Sequence, residues 1–255
     1  MNKNFYRVKL SLLQRYLMDY AVSISDKNDA VLDYGCGGGE MVGDGLNKKL
    51  NIFGTDTFYE GGKSKELAIS LGLLGKKVFS MKRNRIPFPD RSFDLVICNQ
   101  VFEHVKELNV VLKEINRILK TGGILLSAFP TKECVYEGHC GIPMIHWFNK
   151  ESRLRFGYAL LLRKIGFGYF KENKKPERWV MDFLNWLDKY TTYRTRKEIF
   201  SLLRRYFSQN VLIKDQFYKS VLRSKNIHIF DFMFEYKFCK WLINNCEECV
   251  VLSKK

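Results

Sequence analysis

The sequence predicts an α/β fold: a seven-stranded, mostly parallel sheet with helices on both faces and helical additions at the N-terminus and in the C-terminal half. Three observations carry this. Short apolar runs bounded by turn residues recur through the first 130 residues, with helix-length segments between most of them. Two further apolar runs lie near the C-terminal end, enough to complete a seven-stranded sheet. The chain has 255 residues, 46% of them hydrophobic and 15% aromatic. That composition supports a large buried core and excludes a disordered linker, which could not offset its ordering entropy with so many rings in water.

In chain order, residues 5–24 place Leu10, Leu13, Leu17 and Tyr20 at helical spacing, which predicts an amphipathic helix lying on the core that begins near residue 29. The strand candidates are then Ala30-Val31-Leu32, Ile52-Phe53-Gly54, Lys77-Val78-Phe79, Leu95-Val96-Ile97 and Ile124-Leu125-Leu126. Between the last two, Leu108, Val111, Leu112, Ile115, Ile118 and Leu119 form one helical face, and Thr121-Gly122-Gly123 reads as its C-cap, so that strand five begins near Gly123. Beyond Pro130, segments 154–165 and 179–190 have helical spacing, while Asn210-Val211-Leu212-Ile213 and Cys249-Val250-Val251-Leu252 supply the last two strands. The expected organisation is one domain over 1–255: an N-terminal helix in 1–28, a core in 29–130, and an acceptor loop, basic helices and closing strands in 131–255.

The net charge is +16, and residues 151–255 hold 22 Lys and Arg against 11 Asp and Glu, so most of it lies in the last two-fifths. Such a surface attracts anions: nucleic acid, phospholipid head groups, or phosphorylated and carboxylated substrates. The seven cysteines are scattered and odd in number, which argues against a disulfide framework and for a reducing, cytoplasmic setting. Arg7, Lys9, Arg15 and Asp19 interrupt the apolar residues of the N-terminal stretch, so no signal-peptide core is expected there, and no later run has the length of a membrane span.

The chemistry concentrates in Val31-Leu32-Asp33-Tyr34-Gly35-Cys36-Gly37-Gly38-Gly39-Glu40, where a strand, an acidic residue and alternate glycines precede a helix. Absent Cβ atoms let a ligand reach bare backbone at the sheet's carboxyl edge. A dinucleotide fingerprint would have its third glycine where Glu40 stands, and a carboxylate there repels a pyrophosphate. The second strand ends at Gly54-Thr55-Asp56, whose carboxylate suits both hydroxyls of a ribose. Together these describe a nucleoside site without a pyrophosphate.

At this point the sequence resembles the class I S-adenosylmethionine-dependent methyltransferases, whose fold is Rossmann-like. The likeness continues through Ile86-Pro87-Phe88-Pro89-Asp90-Arg91-Ser92-Phe93-Asp94-Leu95-Val96, Glu103-His104-Val105 and the segment 112–123, covering roughly residues 29–130. The resemblance implies S-adenosylmethionine as cofactor, with its methionine part on Asp33, Gly35, Cys36, Gly37 and Gly39, and its ribose on Asp56 beside Thr57. It places adenine on the segment before Ile86, including Met81 and Lys82, and makes Asn99, Gln100 and His104 the floor near the methyl group. Where family members often carry an acidic residue for the adenine amine, this chain reads Met81-Lys82-Arg83-Asn84-Arg85, leaving backbone carbonyls or Asn84 to serve.

For the acceptor, the stretch 137–148 offers Glu137, His139 and His146 among aromatic residues just after strand five. Either histidine suits proton abstraction near neutral pH, with Glu137 orienting the ring, and His104 reads as shaping the cofactor pocket. Cys134, His139, Cys140 and His146 match no standard zinc spacing, so no metal is expected, and Cys246-Glu247-Glu248-Cys249 resembles a redox pair by spacing alone. His228 has no informative context. The block typical of amino-group methyltransferases is missing at Cys98-Asn99-Gln100-Val101. The leading expectation is therefore O-methylation of a saccharide, sugar-lipid or other small, possibly anionic metabolite. The alternatives are an RNA methyltransferase stacking bases on Trp179, Trp186 and Tyr193, and a cofactor-binding protein without turnover.

Overall fold

The computed structural model describes residues 5–59, 62–82, 85–171, 173–224 and 248–255. Its main sheet has seven strands: β1 (Ala30–Tyr34), β2 (Asn51–Asp56), β3 (Val78–Ser80), β4 (Phe93–Asn99), β5 (Leu119–Phe129), β8 (Gln209–Leu212) and β9 (Cys249–Lys254). A two-stranded ribbon, β6 (Tyr136–Glu137) and β7 (Ile142–Pro143), stands apart from it. The order across the main sheet is β3-β2-β1-β4-β5-β9-β8. Strands β1 to β5 pair in parallel, and β9 runs antiparallel to both of its neighbours. After β1 the chain builds outward through β2 and β3, then returns to lay β4 on the other side of β1. The carboxyl ends of β1 and β4 therefore flank the crevice where an open α/β sheet binds its ligands.

Side-chain alternation explains why the strands read as continuous apolar runs. Val31, Leu95, Ile97 and Leu126 face one layer with α1 (Leu12–Ile24) and α2 (Glu40–Asn47); Leu32, Val96, Cys98 and Leu125 face the other, with α4 (Leu108–Ile118) and α7 (Arg196–Leu203). Both faces are covered, so both sets must be apolar. On α4, Leu108, Val111, Leu112, Ile115 and Ile118 are all buried, the stripe that its spacing predicts.

Three boundaries differ from expectation. Helix α1 begins at Leu12, because Ser11 accepts from the Gln14 N–H and the Gln14 side chain accepts from the Ser11 N–H in a capping box. The residues before it lie on α2, where Tyr6 and Asn47 exchange two hydrogen bonds. Strand β5 begins at Leu119, not near Gly123: Phe93 pairs with Leu119 and Leu95 with Ile124, so Gly122, at φ +78°, sits within an irregular strand. The glycine thus serves a bulge, with Leu119 as the helix C-cap.

Helices α5 (Arg153–Lys164) and α6 (Pro176–Tyr190) pack with the 140–145 segment around a third apolar cluster that includes Trp179, Val180 and Leu187. Arg155 donates to both oxygens of Asp188, at 2.8 and 2.9 Å, tying the two helices together. Of the three aromatics considered for RNA, Trp179 is buried in this cluster, Tyr193 is half-buried with its hydroxyl donating to Glu137, and Trp186 is exposed. Asn84, His228 and Cys246 lie outside the described residues. Helix α3 (Ser64–Ser70) and α8 (Lys214–Ser224) complete the described helices, none of which is long and apolar enough to cross a membrane.

Candidate active site

The turn after β1 adopts left-handed backbone at three alternate positions, Gly35 (φ +75°), Gly37 (φ +54°) and Gly39 (φ +83°). Each does a different job. A Cβ on Gly35 would lie 2.4 Å from Val101, so that glycine lets the β4 loop close over the turn. A Cβ on Gly37 would meet nothing nearer than the Ser64 hydroxyl at 4.0 Å; it would project into open cavity. Gly39 is the N-cap of α2 and packs against Leu73 and Val78. The Thr55 carbonyl accepts from the Gly35 and Cys36 N–H groups, and Asp56 accepts from Gly37 through Oδ2 at 2.9 Å and from Phe58 through Oδ1 at 2.8 Å. With two acceptor sites per oxygen, the carboxylate keeps capacity for ligand hydroxyls. Asp33 is buried, and that burial, with the negative charges of Asp56 and Glu40, pushes its carboxyl up to about 8.

Two adjoining cavities border this turn. One, of about 450 Å³, is lined by Gly35, Gly37, Asp56, Thr57, Met81, Gln100 and His104. The other, of about 750 Å³, is lined by Asp33, Cys36, Asn99 and Glu248, sharing Gly35, Gly37 and Gln100 with the first. They gather the expected cofactor residues with two exceptions: Gly39 supports packing, and Lys82 is exposed, its backbone bridged to Arg85. Sequence alone does not point to Tyr59 and Ser64, which also line the smaller cavity, for want of any motif around them, and does not single out Tyr34 within the glycine motif. Nor does it show the clamp on the adenine-side segment. Arg117 donates to the Ile86 and Phe88 carbonyls, to Asp90 and to Glu114, while Glu114 accepts from the Ile86 N–H.

A second polar centre stands beside the first cavity. Glu137, on β6, is buried, yet its Oε2 accepts from the His139 and Cys140 N–H groups at 3.0 and 2.7 Å, and its Oε1 from His139 Nδ1 at 2.6 Å and from the Tyr193 hydroxyl. Burial alone would raise this carboxyl; the His139 and Tyr193 interactions and the Cys140 N–H outweigh it and hold it at about 2. His139 is raised above the ordinary imidazole value, because the neighbouring carboxylates, Glu137 first, outweigh its burial. His104 is lowered by its own burial, with Nδ1 2.8 Å from the Tyr190 carbonyl. The two rings meet edge to face, Nε2 to Nε2, at 3.3 Å.

His146, the other candidate base, is elsewhere. It lines a separate cavity of about 310 Å³ with Lys132, Arg155 and Tyr193, and the Tyr193 ring, 4.6 Å away, stands between it and Glu137. The four-residue Cys/His set does not assemble either: Cys134 Sγ accepts from the Thr131 N–H. Among the described residues, Glu103, His104 and His139 are the group whose donor atoms converge. On its far side His139 faces a cavity of about 620 Å³ lined by Phe170, Lys174, Asp182, Phe183 and Trp186. The histidine pair thus spans the boundary between the glycine-turn cavity and an aromatic one.

A seven-stranded sheet of this order, with a glycine turn after β1 and an acidic residue closing β2, defines the class I S-adenosylmethionine-dependent methyltransferase fold. Residues 32–127 match the family described as "Methyltransferase domain", and the sheet they build has the fold of that class. Over 114 residues the chain is 40% identical to an uncharacterized protein of Methanocaldococcus jannaschii, covering 42% of this chain and 43% of that one. A ubiquinone biosynthesis O-methyltransferase of Pelagibacter ubique is 24% identical over 136 residues, 49% of this chain and 53% of its own length. The chain spans about half the length of these curated relatives. The crystal structure of an S-adenosylmethionine-dependent methyltransferase from Mesorhizobium loti shares the fold, with a TM-score of 0.54 at 13% identity over 96% of this chain and 98% of that one.

Proposed function

We propose that this protein transfers a methyl group from S-adenosylmethionine to a hydroxyl oxygen of a small acceptor, a saccharide or sugar-lipid. The residues suit that cofactor: Gly37 leaves open the volume a Cβ would fill, Asp56 keeps acceptor capacity in the cavity that Gly37 also lines, and the buried Asp33 carboxyl lines the adjoining cavity, where a cation would be welcome. When bound, S-adenosylmethionine supplies an electrophilic methyl carbon on a cationic sulfur.

The observation that carries the acceptor reading is the histidine pair. His104 lines the glycine-turn cavity, His139 lines the aromatic one, and Glu137 fixes His139 from behind. An acceptor resting on Phe170 and Trp186 would bring its hydroxyl to the pair, which is placed to draw off the proton while the oxygen attacks the methyl carbon opposite the departing sulfur. Exposed rings beside the ion pair of Lys174 and Asp182 make a surface suited to a sugar, with apolar faces for its C–H groups and polar groups for its hydroxyls. The likeness to an O-methyltransferase accords with this reading. A cytoplasmic site of action is part of the same proposal.

The test incubates the purified protein with methyl-labelled cofactor and fractionated cell glycans, lipids and RNA. Label in an ether-linked sugar or sugar-lipid is expected; label confined to RNA or protein contradicts the acceptor reading.

A further inference from the structure

The two imidazoles face each other in an arrangement that neutral rings do not favour. The Tyr190 carbonyl can only accept, so His104 Nδ1 donates to it at 2.8 Å and His104 Nε2 carries a lone pair. His139 is held in the same tautomer, its Nδ1 donating to the Glu137 carboxylate at 2.6 Å. With both rings neutral, two lone pairs point at each other across 3.3 Å, a conflict that a proton or a metal cation between them removes. Beside them the Glu103 carboxyl group is buried, and neither of its oxygens has a hydrogen-bond partner. It stands 4.0 Å from His104 Nε2, and the three donor atoms lie within 4.8 Å of one another. A buried carboxyl group without a partner and two converging ring nitrogens make a donor set that suits a cation.

We propose that Glu103, His104 and His139 form a binding site for a divalent transition-metal cation, with zinc the best match, between the two cavities. Ligands about 2.0–2.1 Å from a tetrahedral zinc are about 3.3–3.4 Å from one another, the separation of the two Nε2 atoms. Two imidazoles and one carboxylate are a donor set that leaves a position open for an oxygen ligand. The supporting contacts are of the kind that orient metal-binding histidines, a backbone carbonyl behind His104 and a carboxylate behind His139. Further out, Arg194 fixes the turn that carries Glu103 and His104 by donating to the Phe102 and Val105 carbonyls, and the Thr192 N–H donates to the Glu103 carbonyl.

The site stands on this geometry; its use rests on the methyl-transfer reading. In that use both Nε2 atoms are on the metal, which replaces the histidine pair as the means of removing the proton. The open position takes the acceptor hydroxyl, whose proton passes to solvent on coordination, and the oxygen pair so freed forms the C–O bond as the C–S pair leaves with the thioether. A vicinal diol, with two adjacent oxygens, is the acceptor class such a site would prefer.

The experiment uses the full chain, stripped with a chelator and titrated with Zn²⁺ by calorimetry and with Co²⁺ by visible absorption. One equivalent is expected, with the Co²⁺ bands of a low-coordinate nitrogen and oxygen site and little response to Mg²⁺. His139→Ala and Glu103→Gln should each weaken binding at least about tenfold, Glu137→Gln roughly 10–100-fold, and His146→Ala should keep the full equivalent. Nitrogen NMR of the histidines in the unaltered protein gives a readout that needs no variant: both Nε2 resonances should shift with one equivalent of zinc. No saturable binding, equal affinity in the variants, or a single proton shared between the rings and undisturbed by zinc would overturn the site. Cofactor affinity measured without metal separates the two ideas. Metal binding without cofactor binding would uphold the site and contradict the proposed function, and the reverse result would do the opposite.

Discussion

The backbone N–H of Gly37 donates to Asp56 Oδ2 at 2.9 Å, joining the turn after β1 to the end of β2. One hydrogen bond thus joins the residue assigned to the methionine part of the cofactor to the residue assigned to its ribose. Because a Cβ at Gly37 would enter the cavity while one at Gly35 would strike Val101, the two positions should respond differently to the same change. Gly37→Ala should cost about 1–2 kcal/mol of stability, the strain of left-handed backbone, and weaken S-adenosylmethionine binding about tenfold or more. Gly35→Ala adds a steric clash to the same strain and should lower the melting temperature further. Thermal melts and calorimetry on the two variants check the split.

Asp33 links cofactor binding to pH. Its carboxyl is pushed up from the ordinary range to about 8, so the ligand-free protein holds its proton at pH 7, whereas the unfolded chain has lost it. Stability attributable to this proton is present below the unfolded value and is lost as pH rises through about 8. A cationic cofactor favours the carboxylate, so affinity should rise between pH 6 and 8, by at most about tenfold per pH unit. Asp33→Asn should flatten that slope and remove the proton release seen by calorimetry in buffers of different ionisation enthalpy.

Arg117 and Glu114 hold the segment from Ile86 to Asp90 against α4. Arg117→Met takes the Arg117 donor from the Phe88 carbonyl and one of two donors from the Ile86 carbonyl, leaves Glu114 with the Ile86 N–H alone, and should cost roughly 1–3 kcal/mol in denaturant titrations. The Arg117 contacts hold Glu114 below the ordinary carboxylate range. Its contribution is therefore present above the unfolded value and lost on acidification through the folded one, and Glu114→Gln should reduce the loss of stability below about pH 5.

Much of this site is legible in sequence because backbone chemistry leaves a local trace. Gly35, Gly37 and Gly39 are readable as a turn of bare backbone before a helix, and Asp56 as a strand-end acid, since each is explained by residues a few positions away; their left-handed backbone is what the structure adds. The start of β5 is misread for the opposite reason. Gly122 looks the same in sequence whether it caps a helix or bends a strand, and only the pairing of Phe93 with Leu119 decides. The histidine cluster is half legible: Glu137 and His139 sit two residues apart, but His104 reaches them across 35 positions and Glu103 with it, through a turn held by Arg194. The stretch 137–148 also makes His146 look equivalent to His139, although the ring of Tyr193 separates them.

The most direct test is calorimetric titration of the purified chain with S-adenosylmethionine, run beside Asp56→Ala. A single saturable site is expected, weakened roughly 10–100-fold by the substitution, the worth of one to two charge-assisted hydrogen bonds. Absence of binding to the unaltered chain, or equal affinity in the variant, would contradict the account.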